Sequence, residues 1–292
     1  MSDHDPLDYR RIFGLCLVKD EEDIIAQSLQ SAAKWCTAIF VYDNGSEDKT
    51  WSIISELSRC IPNIIPFRQD SAPYSNSLRA EIFEYVRGEA RVGDWWCQLD
   101  ADEFYIDNPK VFLAKVAKPY DVVWSASFQY YFTDRDLLTY ENNPKAFDDD
   151  VPIEQKCRYY RNNWSEPRFF RHSDNLKYRN RPRPYPLYVS YPDRIRLKHF
   201  QYRSPKQIDR RFASRRDALI RGQFRHERNP DWNRAITEGK QASCNPVSDY
   251  IPLSWRERIV KSEGLNYDDL KSPYVIQEDK LPFIYNLDSA VA

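Results

Sequence analysis

Glycine is scarce, with seven in 292 residues, well below the usual share of roughly 7%. A glycine-rich phosphate cradle is therefore not expected, and neither G-x-G-x-x-G nor G-x-x-x-x-G-K-[ST] occurs. No apolar run approaches the roughly 20 residues of a membrane span. The opening MSDHDPLDYRR has neither a basic stretch nor an apolar core, so a signal peptide is not expected. The six cysteines, at 16, 36, 60, 97, 157 and 244, include no C-x-x-C pair. Contexts such as GLCLV and WWCQL suit buried small hydrophobes, so neither a zinc site nor a disulfide framework is expected, and a reducing cytoplasm suits the chain. What is present is 41% hydrophobic and 15% aromatic, too apolar for disorder. The length allows one large domain, or a core domain with an appendage.

A net charge of −1 hides a strong division. Residues 1–157 carry a net −12, residues 158–228 a net +14, and residues 229–292 a net −3. The two large blocks either neutralise each other across an interface or close around a polyanionic ligand.

IFGLCLV (12–18) is a continuous apolar run, the pattern of a strand buried on both faces. Asp20 and Glu21 then open a helix in which Ile25, Leu29, Ala32 and Cys36 share one stripe. AIFVYDNG (38–45) reads as a second strand ending in an Asn-Gly turn, and Ser46 or Asp48 can cap the helix after it. A strand near 64–68, a helix near 75–88 and a strand over WWCQLDADEF (95–104) follow. This alternation predicts a parallel sheet with right-handed crossovers, whose ligands bind beyond the carboxyl ends of the strands. Three such ends carry polar groups: Lys19-Asp20-Glu21, Asp43-Asn44 and Asp100-Ala101-Asp102-Glu103. The i and i+2 side chains of a strand point to one face, so the carboxylates of Asp100 and Asp102 are expected to be presented together. They repel unless a positive charge intervenes, and a hard divalent cation, Mn²⁺ or Mg²⁺, would supply it.

VYDNGSEDKT (41–50) resembles the nucleotide-binding segment of family 2 glycosyltransferases, which have the GT-A fold. CLVKDEED (16–23) resembles their first strand and loop, and QLDADEF (98–104) their metal-binding D-x-D motif. YYFTDRDLLTYE (130–141), NWSEPRFFR (163–171) and RIRLKHFQYRSPKQIDRR (194–211) look like a bacterial polysaccharide-type subset. The resemblance implies an α/β GT-A domain over 1–225, a nucleotide-binding half (1–105) and an acceptor half (106–225), with a helical C-terminal extension over 226–292. It implies donor-binding roles for Lys19, Glu21, Asp43, Arg79 and Asp100, with Asp43 on the base, and metal ligation by Asp102 and His199. The implied partners are a nucleotide-diphosphate sugar and a glycan or lipid-linked acceptor, with inversion at the anomeric carbon.

Sugar transfer develops negative charge on the leaving diphosphate, which a metal and arginines stabilise, and needs a carboxylate to take the acceptor's proton. Glu166 is one candidate, with Trp164, Phe169 and Phe170 placed to desolvate it; Asp134, Asp136 and Glu103 are others. Alternatively Glu166 pairs with Arg161, Arg168 or Arg171. SPKQIDRRFASRRDALIRGQF (204–224) predicts a helix with Ile208, Phe212, Leu219 and Ile220 on its apolar stripe. Its arginines either pack on the acidic half or face anionic lipid, the latter giving a peripheral contact at the inner face of the membrane. No RNP, KH or zinc-finger pattern occurs, so nucleic acid is not an expected partner. Two other readings stay open: a sugar-phosphate nucleotidyltransferase, though LVKDEED lacks the glycine-rich signature of those enzymes, and a non-catalytic nucleotide- or carbohydrate-binding protein.

Overall fold

The computed structural model describes residues 10–220 and 252–284, apart from positions 76, 180 and 188, together with Ile236. The apolar run becomes β1 (Ile12–Val18), and the alternation continues through α1 (Ile25–Ala32), β2 (Ala38–Asp43), α2 (Thr50–Cys60), β3 (Ile64–Gln69), α3 (Ser77–Val86) and β4 (Trp95–Leu99). β1 lies parallel to both β2 and β4, and β2 to β3. The side chains of β1 alternate as a doubly covered strand requires. Ile12, Cys16 and Val18 pack with Ile25, Leu29, Ala32 and Ile54 from α1 and α2. Phe13 and Leu15 pack with Leu78, Ile82, Phe83 and Val86 from α3. Each such large side chain, fully buried, contributes about 1.5–3 kcal/mol, so the two faces fix the strand order.

Register sets the functional edge. Val18 stands opposite Asp43 and Cys16 opposite Leu99, so the carboxyl ends of β1, β2 and β4 meet at one rim. The N-cap of α2 is Lys49, which makes no side-chain capping bond; the expected cap Asp48 lies one residue earlier, accepting the Thr50 N–H at 2.9 Å and its hydroxyl at 2.5 Å. Gly45 takes φ +71°, and a Cβ there would lie 2.8 Å from the Ser71 backbone; only glycine permits this approach of the 71–74 segment.

One expectation changes here. WWCQLDADEF is not a single strand: β4 ends at Leu99, the chain turns through Asp100–Asp102, and β5 (Glu103–Tyr105) departs separately. The two aspartates are therefore brought together by a turn, not by strand periodicity.

The chain continues through α4 (Pro109–Ala114), β6 (Val122–Tyr131), α5 (Asp134–Asn142), α6 (Ile153–Lys156), β7 (Tyr159–Trp164), β8 (Pro167–Arg171), β9 (Ile195–His199), α7 (Pro205–Ile220) and β10 (Asn266–Tyr267). β8 runs antiparallel between β4 and β6, extending the sheet to the order β10-β7-β6-β8-β4-β1-β2-β3. β9 joins β6 in parallel and carries β5 against it. The division expected at residue 105 thus falls within one continuous mixed sheet, and the one at 225 lies outside the described residues. Within the expected helical extension Ile236 is helical, whereas 252–284 is coil with two short 3₁₀ turns and the two-residue β10. In α7, Ile208 and Phe212 pack inward and Leu219 is buried as expected, but Ile220 is exposed at the end of the helix.

Candidate functional site

At the carboxyl rim a cavity of about 750 Å³ opens. Lys19, Glu21, Asn44, Arg79, Asp100, Asp102, Glu166, Arg168, Arg183 and His199 line it, and Gln207, Arg211, Ser214, Arg215 and Ala218 form one wall along a single face of α7. Most residues singled out in the sequence therefore meet, from segments up to 180 residues apart.

The floor is stitched from polar backbone contacts. Lys19 Nζ donates to the carbonyls of Asn44 and Gly45 at 3.2 and 3.1 Å. Asp20, held at φ 55°, accepts the Glu47 N–H at 2.8 Å, while its own N–H donates to Ser46 Oγ at 2.9 Å. Glu21 N–H donates to Thr50 Oγ1 at 2.8 Å. These bonds lock the loop after β1 to the loop after β2. The Glu21 carboxylate pairs with the buried Arg203 guanidinium, and burial pushes its pKa up to about 7 against that pull.

Asp43 does not line the cavity: it is wholly buried at the end of β2, where one oxygen accepts the Ser46 N–H at 2.6 Å and Oδ2 has no hydrogen-bond partner among the described residues. Asn44 is the residue that faces the cavity there, its amide donating to the Ala72 carbonyl at 2.5 Å.

Asp100 is clamped between two cations. Arg79 from α3 pairs with one oxygen, and Arg168 from β8 reaches the other at 2.9 Å. Burial would raise its pKa, but the two guanidiniums outweigh burial and hold it below the usual carboxylate value. Arg168 also pairs with Glu103, wholly buried beneath it, and lies 3.1 Å from Glu166. Burial pushes the Glu103 pKa up to about 8 despite that pairing. Arg168 had been read only as one alternative partner for Glu166; its place between Asp100, Glu103 and Glu166 depends on the β4–β8 pairing, a contact between distant segments.

Asp102 and His199 form the second polar centre. The antiparallel pairing of β5 with β9 sets Glu103 opposite His199, which brings His199 Nε2 to 3.3 Å from Asp102 Oδ2. Burial would raise the Asp102 pKa, but His199 lowers it strongly, and the carboxylate in turn raises that of the imidazole. Among the described residues His199 Nδ1, which is buried, has no hydrogen-bond partner. A carboxylate and an imidazole converging on a cavity suit a divalent cation of the Mn²⁺ or Mg²⁺ kind. Among the described residues no group of three or more His, Cys, Asp or Glu side chains is arranged to hold a metal, so substrate oxygens and water would complete the shell.

The candidate bases separate. Glu166 lines the cavity with its side chain 38% exposed, accepting the Trp164 indole N–H at 2.7 Å and pairing with Arg168. Phe169 and Phe170, expected to desolvate it, point instead into the two core clusters. Asp134 does not line the cavity: it begins α5, accepts the Ser262 N–H at 2.8 Å, and its pKa is lowered by that contact against a burial effect. Asp136 completes a capping box with Thr133 on the same helix. FTDRD is a helix start, a signal the spacing T-x-x-D already carried.

Against known proteins, the model described as "Glycosyl transferase family 2" matches residues 17–185. The chain belongs to this family. Its mixed α/β sheet accords with the GT-A fold of that family, and the match runs from the last two residues of β1 to the loop before β9. No curated protein matches the chain significantly. Among solved structures it is similar to the mannosyltransferase PcManGT of Pyrobaculum calidifontis in complex with GDP-Man and Mn²⁺, at 13% identity, TM-score 0.34, over 57% of this chain and 46% of that one. It is similar to S. aureus TarS in complex with UDP, at 16% identity, TM-score 0.31, over 41% and 35%. A third is glucosyl-3-phosphoglycerate synthase from Mycobacterium tuberculosis in complex with Mn²⁺, UDP and phosphoglyceric acid, at 14% identity, TM-score 0.30, over 57% of each chain. The chain thus spans about half or less of the first solved proteins it matches. No helix among the described residues is long and apolar enough to cross a membrane.

Proposed function

We propose that this family 2 glycosyltransferase moves a sugar from a nucleotide-diphosphate donor, with inversion, onto an acceptor hydroxyl. The observation that carries the reading is the pairing of Asp102 with His199 at 3.3 Å on the wall of the cavity that Arg79 and Asp100 also line. A divalent cation bound by Asp102 and His199 would neutralise charge developing on the leaving diphosphate. Arg79 and Arg168, fixed by Asp100, hold positive charge at the same end before reaction begins, so none of it has to be reorganised. Asn44 and the 71–74 segment form the wall at the end of β2 where the base would lie. Glu166, open to the cavity, is positioned to take the acceptor's proton. A glycan or lipid-linked acceptor in polysaccharide assembly, met in the cytoplasm at the inner face of a membrane, remains part of this proposal. The nucleotidyltransferase and binding-protein readings are not favoured by any feature of the cavity.

Calorimetric titration of UDP, GDP, CDP and dTDP, each with and without Mn²⁺, tests the donor reading. One nucleotide binding only with the metal is the expected result. Absence of binding by all four overturns it.

A further inference from the structure

The cations of the cavity are not all spent on neighbouring acids. Arg79 and Arg168 are held by Asp100, Glu103 and Glu166, and Lys19 by two backbone carbonyls. Arg183 lines the same cavity and is half-buried, yet among the described residues it makes no hydrogen bond or ion pair. Burial lowers its pKa, and Glu166 is the one charged group that offsets this. That carboxylate is already engaged by Trp164 and Arg168.

Arg183 is also held in place. Lys177 and Tyr185 exchange backbone hydrogen bonds of 2.7 and 2.8 Å, closing the neck of its loop. The Pro182 carbonyl, one residue before it, accepts from Gln98 Nε2 at 2.7 Å and from the Tyr178 hydroxyl at 3.1 Å. Gln98 lies on β4, two residues before Asp100, so this loop is tied to the strand that delivers the acidic turn. The backbone beside Arg183 is thus anchored, and a half-buried guanidinium that faces a cavity without an anion gives up part of its hydration, which an anionic ligand would replace.

We propose that Arg183 binds an anionic group of the acceptor, a phosphate or carboxylate, so that the acceptor is an acidic molecule rather than a neutral sugar. The inference rests on the donor reading above. The leaving diphosphate is served by the Asp102–His199 end and by Arg79. Arg183 lines the same cavity as Glu166 and feels its charge, on the side where the acceptor hydroxyl would lie to lose its proton. An acidic acceptor would be repelled by Glu166, and Arg183 offsets that repulsion while fixing the acceptor's orientation through paired N–H donors.

The test loads the full chain with Mn²⁺ and whichever of the four nucleoside diphosphates it binds, then titrates inorganic phosphate by calorimetry. Wild type, Arg183→Gln and Arg183→Lys are compared, with unliganded melting temperatures confirming that each variant folds. Phosphate is expected to bind the loaded wild type, at least about tenfold more weakly the Gln variant, and with intermediate affinity the Lys variant. Nucleotide affinity is expected to stay within about twofold. Phosphate that fails to bind the loaded wild type, or binds the Gln variant equally well, overturns the proposal. A loss of nucleotide affinity in Arg183→Gln also overturns it, assigning the residue to the donor's diphosphate. If no nucleotide binds the wild type, the donor reading itself has failed and the inference falls with it.

Discussion

Glu166 receives the Trp164 indole N–H on one oxygen and stands beside Arg168 with the other. A glutamine can keep the first contact through its amide oxygen, but it cannot accept a proton at neutral pH. Glu166→Gln is therefore expected to bind Mn²⁺ and nucleotide within about threefold of wild type while sugar release from the donor, to acceptor or to water, falls by about 10² or more. Parallel calorimetry and turnover measurements check both halves; full turnover would remove Glu166 from the role of base. The residue types at this site were legible in the sequence, but their partners were less so. A base-binding role for Asp43 came from the family resemblance; its full burial follows from how the chain packs at the end of β2, where Ser71 closes against Gly45, a contact no local pattern encodes. Asp134 and Asp136 looked like candidate bases in FTDRD, where a local capping box accounts for Asp136 and a bond from the distant Ser262 N–H engages Asp134.

One carboxylate gathers several of the ties between the C-terminal segment and the sheet. Asp268 accepts the Tyr130 hydroxyl from β6 at 2.5 Å and that of Tyr274 at 2.6 Å, with Lys198 from β9 at 3.3 Å. These donors outweigh burial and hold its pKa below the ordinary aspartate value. The folded chain thus releases this proton more readily than the unfolded one. The stabilisation is complete above the unfolded pKa of about 3.9 and is lost as pH falls through the lower folded pKa. Asp268→Asn should cost about 2 kcal/mol at pH 7, with the gap to wild type narrowing in urea melts between about pH 4 and pH 2. A gap independent of pH would contradict the account. At this scale the elements with strong local signals were readable: β1, α1, β2, α2, β3, α3 and β4 follow apolar runs, helical stripes and turn residues. The break after Leu99 was not, because β5 exists only through its pairing with β9, and no local pattern encodes a partner nearly a hundred residues away.

Across the whole molecule the segregated charge resolves into ion pairs between the two blocks. Arg203 is wholly buried between Asp23, at 2.7 Å, and Glu21. Arg210 reaches Glu22 and Asp48, and Lys206 reaches Glu22 and Asp149. Neutralisation across an interface and an arginine-bearing cavity wall are both realised, since α7 contributes to each. Arg203→Met strands two buried carboxylates and should cost about 3–5 kcal/mol, whereas Lys206→Ala, largely in solvent, should cost at most about 0.5 kcal/mol; chemical denaturation of the two variants side by side separates the cases. The sequence showed the charge blocks and the acidic rim of the sheet, whereas the pairing of Asp102 with His199 needed the β6–β9–β5 arrangement that only the folded chain supplies.

That pairing is the centre of the functional account, and the paramagnetic signal of free Mn²⁺ reports on it directly. In a titration with the nucleotide the chain binds, wild type should remove Mn²⁺ from solution and quench the signal, while Asp102→Asn and His199→Ala, folded by their melting curves, should leave most of it free. Both variants quenching it as wild type does would contradict the assignment of Asp102 and His199 as the metal's protein ligands.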